Sequence, residues 1–503
     1  MNADPLDPFV ERAGFPQNLF FAWCCLAAIF LVVVAIAGCG GGSSASPETA
    51  VTRTPPPPPP PPAPSIASVT VTQHTNFGLD QITFTITGSN FLPGVTGIIH
   101  PQGPGILCCS DIQVGGLNAA GAIVATIPGR SATASSTVSV TVRNPNNTQS
   151  QGVSVDIPFP PPPNLPNVMF DYVGYAVTNL PPHYKDPNSP AGNLAGTDNT
   201  PATNPITNAG ATLGRVLFYD RLLSANNTTS CGSCHQQQLG FGDINQLSVG
   251  FQGGLTKRRS MTLSNAKYYQ RGHFFSDERA ATLEDQVLQP IQDPIEMGNS
   301  LSTLIPKMAQ TTYYPGLFQA AFGTPDITPD RMSFALAQFI RSMVSYQSKF
   351  DQAFAAGTNG NPNFAAVFTA SEQHGQALFT SLGCAQCHTT GGHVSDTIHN
   401  IGLDLVTQDA GAGSGKFKAP SLRNVGARIW FMHDGRFGAL QQVIDFYNNG
   451  VQDNPDLDPL LRNSDGTVRR LNLSFSDEQD LVNFLNTLTD NTFLNDPKFA
   501  DVF

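Results

Sequence analysis

Two short stretches of the sequence carry the same three side chains in the same order. "TTSCGSCHQQ" holds Cys231, Cys234 and His235, and "LGCAQCHTTGG" holds Cys384, Cys387 and His388. Thiols with two residues between them can bond covalently to the two vinyl groups of a haem, and the histidine that follows is then held against the iron. The pattern C-x-x-C-H therefore predicts two covalently bound haem c groups, anchored by the four cysteines, with His235 and His388 as proximal ligands. Other chemistries fit less well. A structural zinc site wants four ligands close together, and here residues 235–383 separate the two pairs. A thioredoxin-like dithiol wants a βαβ pattern around it, and none is visible.

Elements must position these groups, and the chain is long enough for several domains. It has 503 residues, of which 40% are hydrophobic, as suits a globular protein. A formal net charge of −11 gives no support for nucleic-acid binding. It would suit a basic redox partner, and equally a surface that is merely soluble.

Residues 1–38 read as a signal peptide of the lipoprotein type. Leu19 to Ala37 are almost wholly apolar and end in "AIAGCGGG", where Ile36-Ala37-Gly38-Cys39 resembles a bacterial lipobox, with a membrane-spanning anchor as the alternative. Cleavage before Cys39 would leave a lipid-anchored protein, and Gly40 in place of Asp favours the outer membrane, facing the periplasm. Of the nine cysteines, Cys24 and Cys25 leave with the signal, Cys39 takes lipid and four take haem. The adjacent Cys108 and Cys109 remain, without an assigned function.

Residues 39–64 are a Gly/Ser/Pro-rich linker whose proline run, Pro55 to Pro62, predicts a stiff polyproline II spacer. Residues 65–158 read as all-β: "SVTVTQ", "QITFTITG" and "STVSVTVRN" alternate apolar and polar positions between Gly, Asn and Pro. A second Pro-rich linker, 159–166, follows. The remainder holds a weak internal repeat, with "LGRVLFYD" before the first haem motif and "HGQALFTSLG" running into the second. Each unit ends in an amphipathic helix. One has Thr328 as N-cap and Pro329 at its first position. The other carries a capping-box pattern at Ser476 and Gln479, with Leu481, Phe484, Leu485 and Leu488 on one face. Helix, haem motif, helix is the plan of a cytochrome c-type domain. The fold expected is an N-terminal all-β immunoglobulin-like sandwich, then two mainly α cytochrome c-type domains in tandem over 167–350 and 351–503.

Several motifs then point to a family. "LGRVLFYDRLLS…SCGSCH", "FFSDERAATLEDQVLQPIQDPIEMG", "GCAQCH", "FKAPSLRNV" and "FMHDGRFGALQQVIDFY" resemble the bacterial di-haem cytochrome c peroxidases, which include the di-haem enzyme of methylamine utilisation. The resemblance runs from about Pro205 to Asp490. Within the all-β segment, "TITGSNFLPG" and "VSVTVRNPNNTQS" resemble the TIG (IPT) immunoglobulin-like domains.

The peroxidase resemblance implies that the N-terminal haem reacts with peroxide while the C-terminal haem stores and relays electrons. It implies that Gln286 and Glu296 lie over the open face of the first haem, with Glu296 moving a proton between the peroxide oxygens. A residue in the first turn after Pro294 is the bland reading of Glu296. Glu284 and Asp285 are expected to be solvated charges. Some relatives close the first iron with a His on the "SVGFQGGL" loop, and Ser248 to Leu255 contain none. In relatives a Met or a Tyr stands fourteen residues after the His of "HDG", and that count from His433 reaches Tyr447, with Met432 as the alternative ligand of the second iron.

This sequence also departs from the family. Ser276 stands where many members have a Trp between the haems, and Trp430 reads as a packed core residue, with electron relay as the alternative. The motif around the calcium-binding Asn of relatives reads "KRRSMTLSN" here, with Arg258 and Arg259 where a small polar residue is usual; the backbone carbonyls of Arg428 and Trp430 could still contribute, so calcium between the haems is retained as an option. His273, His393 and His399 read as structural or propionate-contacting residues, and His433 as structural or electron-relaying.

The function expected is reduction of hydrogen peroxide to water with electrons from a small cytochrome c or cupredoxin. The alternatives are an enzyme that uses peroxide to oxidise a partner protein and a non-catalytic di-haem electron carrier.

Overall fold

The computed structural model describes residues 61–76, 79–102, 112–129, 136–157, 162–189, 192–389, 392–395 and 397–503. The expected signal peptide, Cys39, most of the first proline-rich linker and the pair Cys108 and Cys109 lie outside the described residues. Pro62–Phe503 form one compact unit, which holds all the chemistry that follows. No described helix is long and apolar enough to cross a membrane.

The N-terminal part of this unit is built of strands. β1 (Ser65–Asn76), β2 (Leu79–Ser89) and β5 (Ile123–Gly129) form one antiparallel sheet in the order β1-β2-β5. β3 (Thr96–Gln102), β4 (Ile112–Gly115), β6 (Ser136–Arg143) and β7 (Val153–Ile157) form another, in the order β4-β3-β6-β7. Side chains alternate between faces along a strand, and the sequence uses this. Ile82, Phe84 and Ile86 of β2 are buried while Thr83 and Thr85 between them are not. They meet Val138, Val140 and Val142 of the other sheet in one apolar core.

The rest is mainly helical, and its two halves repeat one construction. In the first, α1 (Asn208–Tyr219) precedes the one-turn α2 (Cys231–Cys234), α3 (Leu283–Val287) and α4 (Pro329–Ser342). In the second, α5 (Ala370–Ser381) precedes the one-turn α6 (Cys384–Cys387), α7 (Leu440–Asp445) and α8 (Phe475–Asn486). α1 crosses α4 at Gly214, where any Cβ would overlap the Ala335 carbonyl, and α5 crosses α8 at Gly375, where it would overlap the Asp480 carbonyl. The shared "G-x-x-L-F" of the two repeats thus marks two close helix crossings.

Caps set the helix ends. Thr207 accepts from the Gly210 amide at 2.9 Å, and Thr328 caps α4 with Pro329 at its first position, as expected. The capping box of α8 differs from the expectation at Ser476 and Gln479. Ser474 and Asp477 form it instead, with Ser474 N donating to Asp477 at 3.0 Å and Asp477 N to Ser474 Oγ at 3.2 Å. A carboxylate is the stronger acceptor for a backbone amide, and Gln479 turns to Gln441. Leu481, Phe484, Leu485 and Leu488 are buried together on the predicted face.

The last residues do something no local pattern announces. Phe493, Phe499, Val502 and Phe503 pack into the core that contains α1 and α4, not the core that contains α5 and α8. Tyr219 OH donates to the Phe499 carbonyl at 2.6 Å, and Arg215 Nε to the Ala500 carbonyl at 2.7 Å.

Candidate active site

Each C-x-x-C-H stretch closes one helical turn and faces a cavity. At the first, Ser230 and Ser233 form a capping box, and the His235 amide donates to the Cys231 carbonyl at 2.9 Å. His235 Nδ1 lies 2.9 Å from the Phe241 carbonyl. A carbonyl can only accept, so Nδ1 carries the proton and Nε2 keeps its lone pair. Burial lowers the His235 pKa, which holds the ring neutral as a metal ligand must be. Cys231, Cys234 and His235 line a cavity of about 620 Å³ together with Gln286 and Glu296.

Glu296 lies in a turn between the short helix Gln289–Gln292 and the helix Leu301–Ala309. It belongs to the first turn of neither, which removes the bland reading. Its amide donates to Asp293 Oδ1 at 3.1 Å and its carbonyl accepts from the Phe251 amide at 3.0 Å, so the backbone is fixed on both sides. Burial first, and then repulsion from Asp293, raise its pKa, against a pull from Arg279.

Two other carboxylates line the same cavity. Asp277 is engaged by Arg258 and by Arg279 at 2.9 Å, and its pKa is lowered by those contacts despite burial. Asp293 accepts from two backbone amides. Glu284 is not the solvated charge expected. It holds Arg341 through two hydrogen bonds of 2.6 and 3.0 Å and accepts from Asn204 at 2.8 Å, whereas Asp285 is exposed.

The second cavity, of about 280 Å³, is lined by Cys384, Cys387 and His388. His388 Nδ1 lies 3.2 Å from the Pro420 carbonyl, and burial pulls its pKa down to about 4. Both alternative ligands line this cavity. Tyr447 stands in a π-helical turn, Phe446–Gly450, that continues α7, and burial raises its pKa. Single π-turns of this kind frequently sit at functional sites. Met432 has φ +69°, in the left-handed region that a side chain rarely adopts.

His433 stacks on Phe417 with centroids 3.8 Å apart. His399 has both ring nitrogens engaged, by Asp458 at 2.6 Å and Thr397 at 2.7 Å, as a structural residue would. Trp430 is half-buried and donates to the Ile244 carbonyl at 2.9 Å.

The wall between the cavities carries a repeat that inspection of the sequence passed over. "FFSDER" and "FMHDGR" form the same loop. Phe274 bridges Ala280 and Phe431 bridges Phe437, with positive φ at Phe275 and Glu278 in one and at Met432 and Gly435 in the other. Ser276 thereby matches His433. The preceding "SN" and "RN" match as well, with Asn265 at φ +62° and Asn424 at φ +60°. On that register Arg259 matches Lys418, and the halves clasp each other reciprocally. Arg259 N donates to the His433 carbonyl at 2.8 Å, and Lys418 N to the Ser276 carbonyl at 2.8 Å. Arg259, Ser276 and Lys418 line both cavities.

Both cavities fit haem c. Each has two cysteines, a neutral imidazole with a free lone pair and predominantly apolar walls, and the wall between them presents buried guanidinium nitrogens without partners, Arg259 Nε and Nη2 and Arg428 Nε. Among the described residues no cluster of three His, Cys, Asp or Glu side chains could hold a metal.

Residues 208–359 match the family model described as di-haem cytochrome c peroxidase. The methylamine utilization protein MauG of Methylorubrum extorquens is 34% identical over 301 residues, covering 57% of this chain and 80% of that protein. MauG of Methylophilus methylotrophus is 31% identical over 326 residues, 62% of this chain and 89% of that one. The cytochrome c551 peroxidase of Nitrosomonas europaea is 29% identical over 249 residues, 47% and 71% of the respective chains. Among solved structures, a MauG-like protein associated with microbial copper homeostasis superposes with a TM-score of 0.53 at 28% identity, covering 60% of this chain and 96% of that one.

Proposed function

The chain belongs to the di-haem cytochrome c peroxidase family, and from that premise we propose that it reduces hydrogen peroxide to water at the first cavity with electrons relayed through the second. The observation that carries this reading is Glu296, a carboxylate of raised pKa in the wall of the cavity that also contains His235.

The haems would supply iron that binds peroxide and passes electrons. The chain's own residues do the rest. Cys231 and Cys234 would hold one haem, and the Phe241 carbonyl takes the Nδ1 proton of His235, which leaves Nε2 as the nitrogen that would bind iron. Glu296 takes the proton from the near oxygen of peroxide and returns it to the far oxygen, which leaves as water. Gln286 hydrogen-bonds the bound peroxide or a water beside it. Two electrons and two further protons complete the conversion of one peroxide to two waters. The residues of the wall, Ser276 among them, separate the cavities without an aromatic relay at that position.

A second reading has the enzyme use peroxide to oxidise a partner protein. Tyr447 favours it, because as a ligand of the second iron its anionic oxygen would lower the potential and favour oxidised states, whereas Met432 would raise it. Around this centre we read the helical halves as two cytochrome c-type domains in tandem, 167–350 and 351–503. The strands form an immunoglobulin-like spacer over 65–158, and the protein is a periplasmic lipoprotein. Its donor is a small cytochrome c or cupredoxin.

The test is direct. Because Ser248 to Leu255 contain no His, the oxidised protein should hold a high-spin ferric haem that consumes peroxide without prior reduction, and should turn over with a reduced cytochrome. A wholly low-spin ferric spectrum, with no peroxide consumption until an electron is added, would refute the open-site reading. Peroxide reactivity with no cytochrome turnover would favour a partner-protein substrate.

A further inference from the structure

Arg258 and Arg259 are neighbours with opposite circumstances. Arg258 is fully paired, to Asp277 and through two 2.7 Å bonds to Asp409. Arg259 lines both cavities, and its Nε and Nη2 are enclosed without a hydrogen-bond partner. Arg428, which lines the second cavity, gives Nη2 to the carbonyls of Ser421 at 2.8 Å and Arg423 at 2.6 Å, and its Nε has no partner. Arg259 repels Arg428, while Asp243 attracts Arg259 and Tyr269 acts on Arg428. Asp243 does not touch Arg259, and its own Oδ2 is unpartnered. Among the described residues neither guanidinium is hydrogen-bonded to a carboxylate, so both charges are enclosed without an anion in contact. Such a charge is costly unless an anion meets it.

The geometry of a guanidinium suits a carboxylate, through two parallel N–H···O bonds. Carboxylates are also what haem would bring to this wall, as its propionates. We propose that Arg259 and Arg428 form a fixed guanidinium pair that receives haem propionate carboxylates between the two cavities, supplying as side chains the positive charge that a calcium ion would otherwise supply there. The proposal rests on the reading of two bound haems. It also accounts for the departure at Arg259. A divalent cation next to this pair would meet repulsion in place of an oxygen cage, and Asp277 and Asp409, which line the cavities, are committed to Arg258. Lys418, the counterpart of Arg259 in the repeat, is buried in the same wall and donates to the His273 carbonyl, so both matched positions are cationic.

The experiment uses the haem-loaded protein. Haem is first counted by pyridine haemochrome, and fewer than two per chain overturns the site reading and this proposal with it. With two haems present, the reduction potentials are titrated in wild type, Arg259→Gln, Arg428→Gln and the exposed control Lys416→Gln. Loss of a nearby positive charge destabilises the reduced haem. Each Arg→Gln variant should lower at least one potential by about 59 mV, a tenfold change in a one-electron equilibrium, and Lys416→Gln should change neither. Calcium analysis of the wild type should find no stoichiometric metal, and chelator treatment should leave spectra and potentials unchanged. Should Arg259→Gln fail to fold, Arg259→Lys keeps the charge and loses the fork, and the propionate bending band in the resonance Raman spectrum must then move. Potentials unchanged in both Gln variants, an unmoved propionate band in Arg259→Lys, or a calcium ion whose removal shifts the potentials would each overturn the proposal.

Discussion

Replacing Glu296 by Gln keeps the size of the side chain and its capacity for hydrogen bonds, and removes its ability to cycle a proton. The size of the effect depends on what else could take over. Three carboxylates line the first cavity. Asp277 is held ionised by Arg258 and Arg279, and Asp293 spends Oδ1 on the amides of Ile295 and Glu296. Both are committed to these partners, and the Gln286 amide cannot accept a proton. The loss in peroxide turnover should therefore approach the full value of positioned proton transfer, about 10² to 10⁴-fold.

The pH profile gives an independent signature. Glu296 must be ionised to take the first proton, so kcat/KM should fall as pH drops through its pKa. Burial places that limb above the ordinary Glu value of about 4.3. Glu296→Gln should erase the limb. Stability moves the other way. A carboxyl whose pKa is raised on folding favours the folded state at low pH and destabilises it as pH rises through the folded value. Thermal stability at neutral pH should thus hold or rise in Glu296→Gln. The assay is steady-state peroxide consumption against a reduced cytochrome from acid to neutral pH, with both haem spectra recorded. Wild-type turnover, or an unchanged acid limb, would refute the assignment.

Tyr447→Phe should alter the low-spin signal of one haem and leave the other untouched, as read by electron paramagnetic resonance; an unchanged spectrum removes Tyr447 from the ligands and leaves Met432 to be tested in the same way. Glu284→Gln breaks an ion pair in which the Arg341 side chain is only 2% exposed, so chemical denaturation should show a loss of about 3 kcal/mol while turnover of the folded fraction stays near wild type. A large loss of turnover with stability intact would instead place Glu284 in the chemistry.

The sequence by itself determined what depends on neighbours along the chain. Thiols and imidazole in C-x-x-C-H are held within one helical turn, so their joint chemistry is readable from spacing alone. Period-two alternation marked the strands, and Thr328 with Pro329 marked a helix start, because a cap bonds to amides two or three residues away. Tertiary structure decided what depends on distant partners. Glu284 looked like any solvated helix charge until Arg341 was brought against it, and Glu296 looked like a helix-start residue until its turn was fixed by Asp293 and Phe251. The capping box of α8 shifted to Ser474 and Asp477 because two overlapping patterns competed and the carboxylate is the better acceptor. The C-terminal residues rejoin the first core through carbonyls that any sequence possesses. The cationic wall arises only where the halves clasp, Arg259 on His433 and Lys418 on Ser276. A guanidinium shows in the sequence as a charge, but whether it is paired, as Arg258 is, or waiting for an anion, as Arg259 is, depends on which groups the fold brings within hydrogen-bond reach.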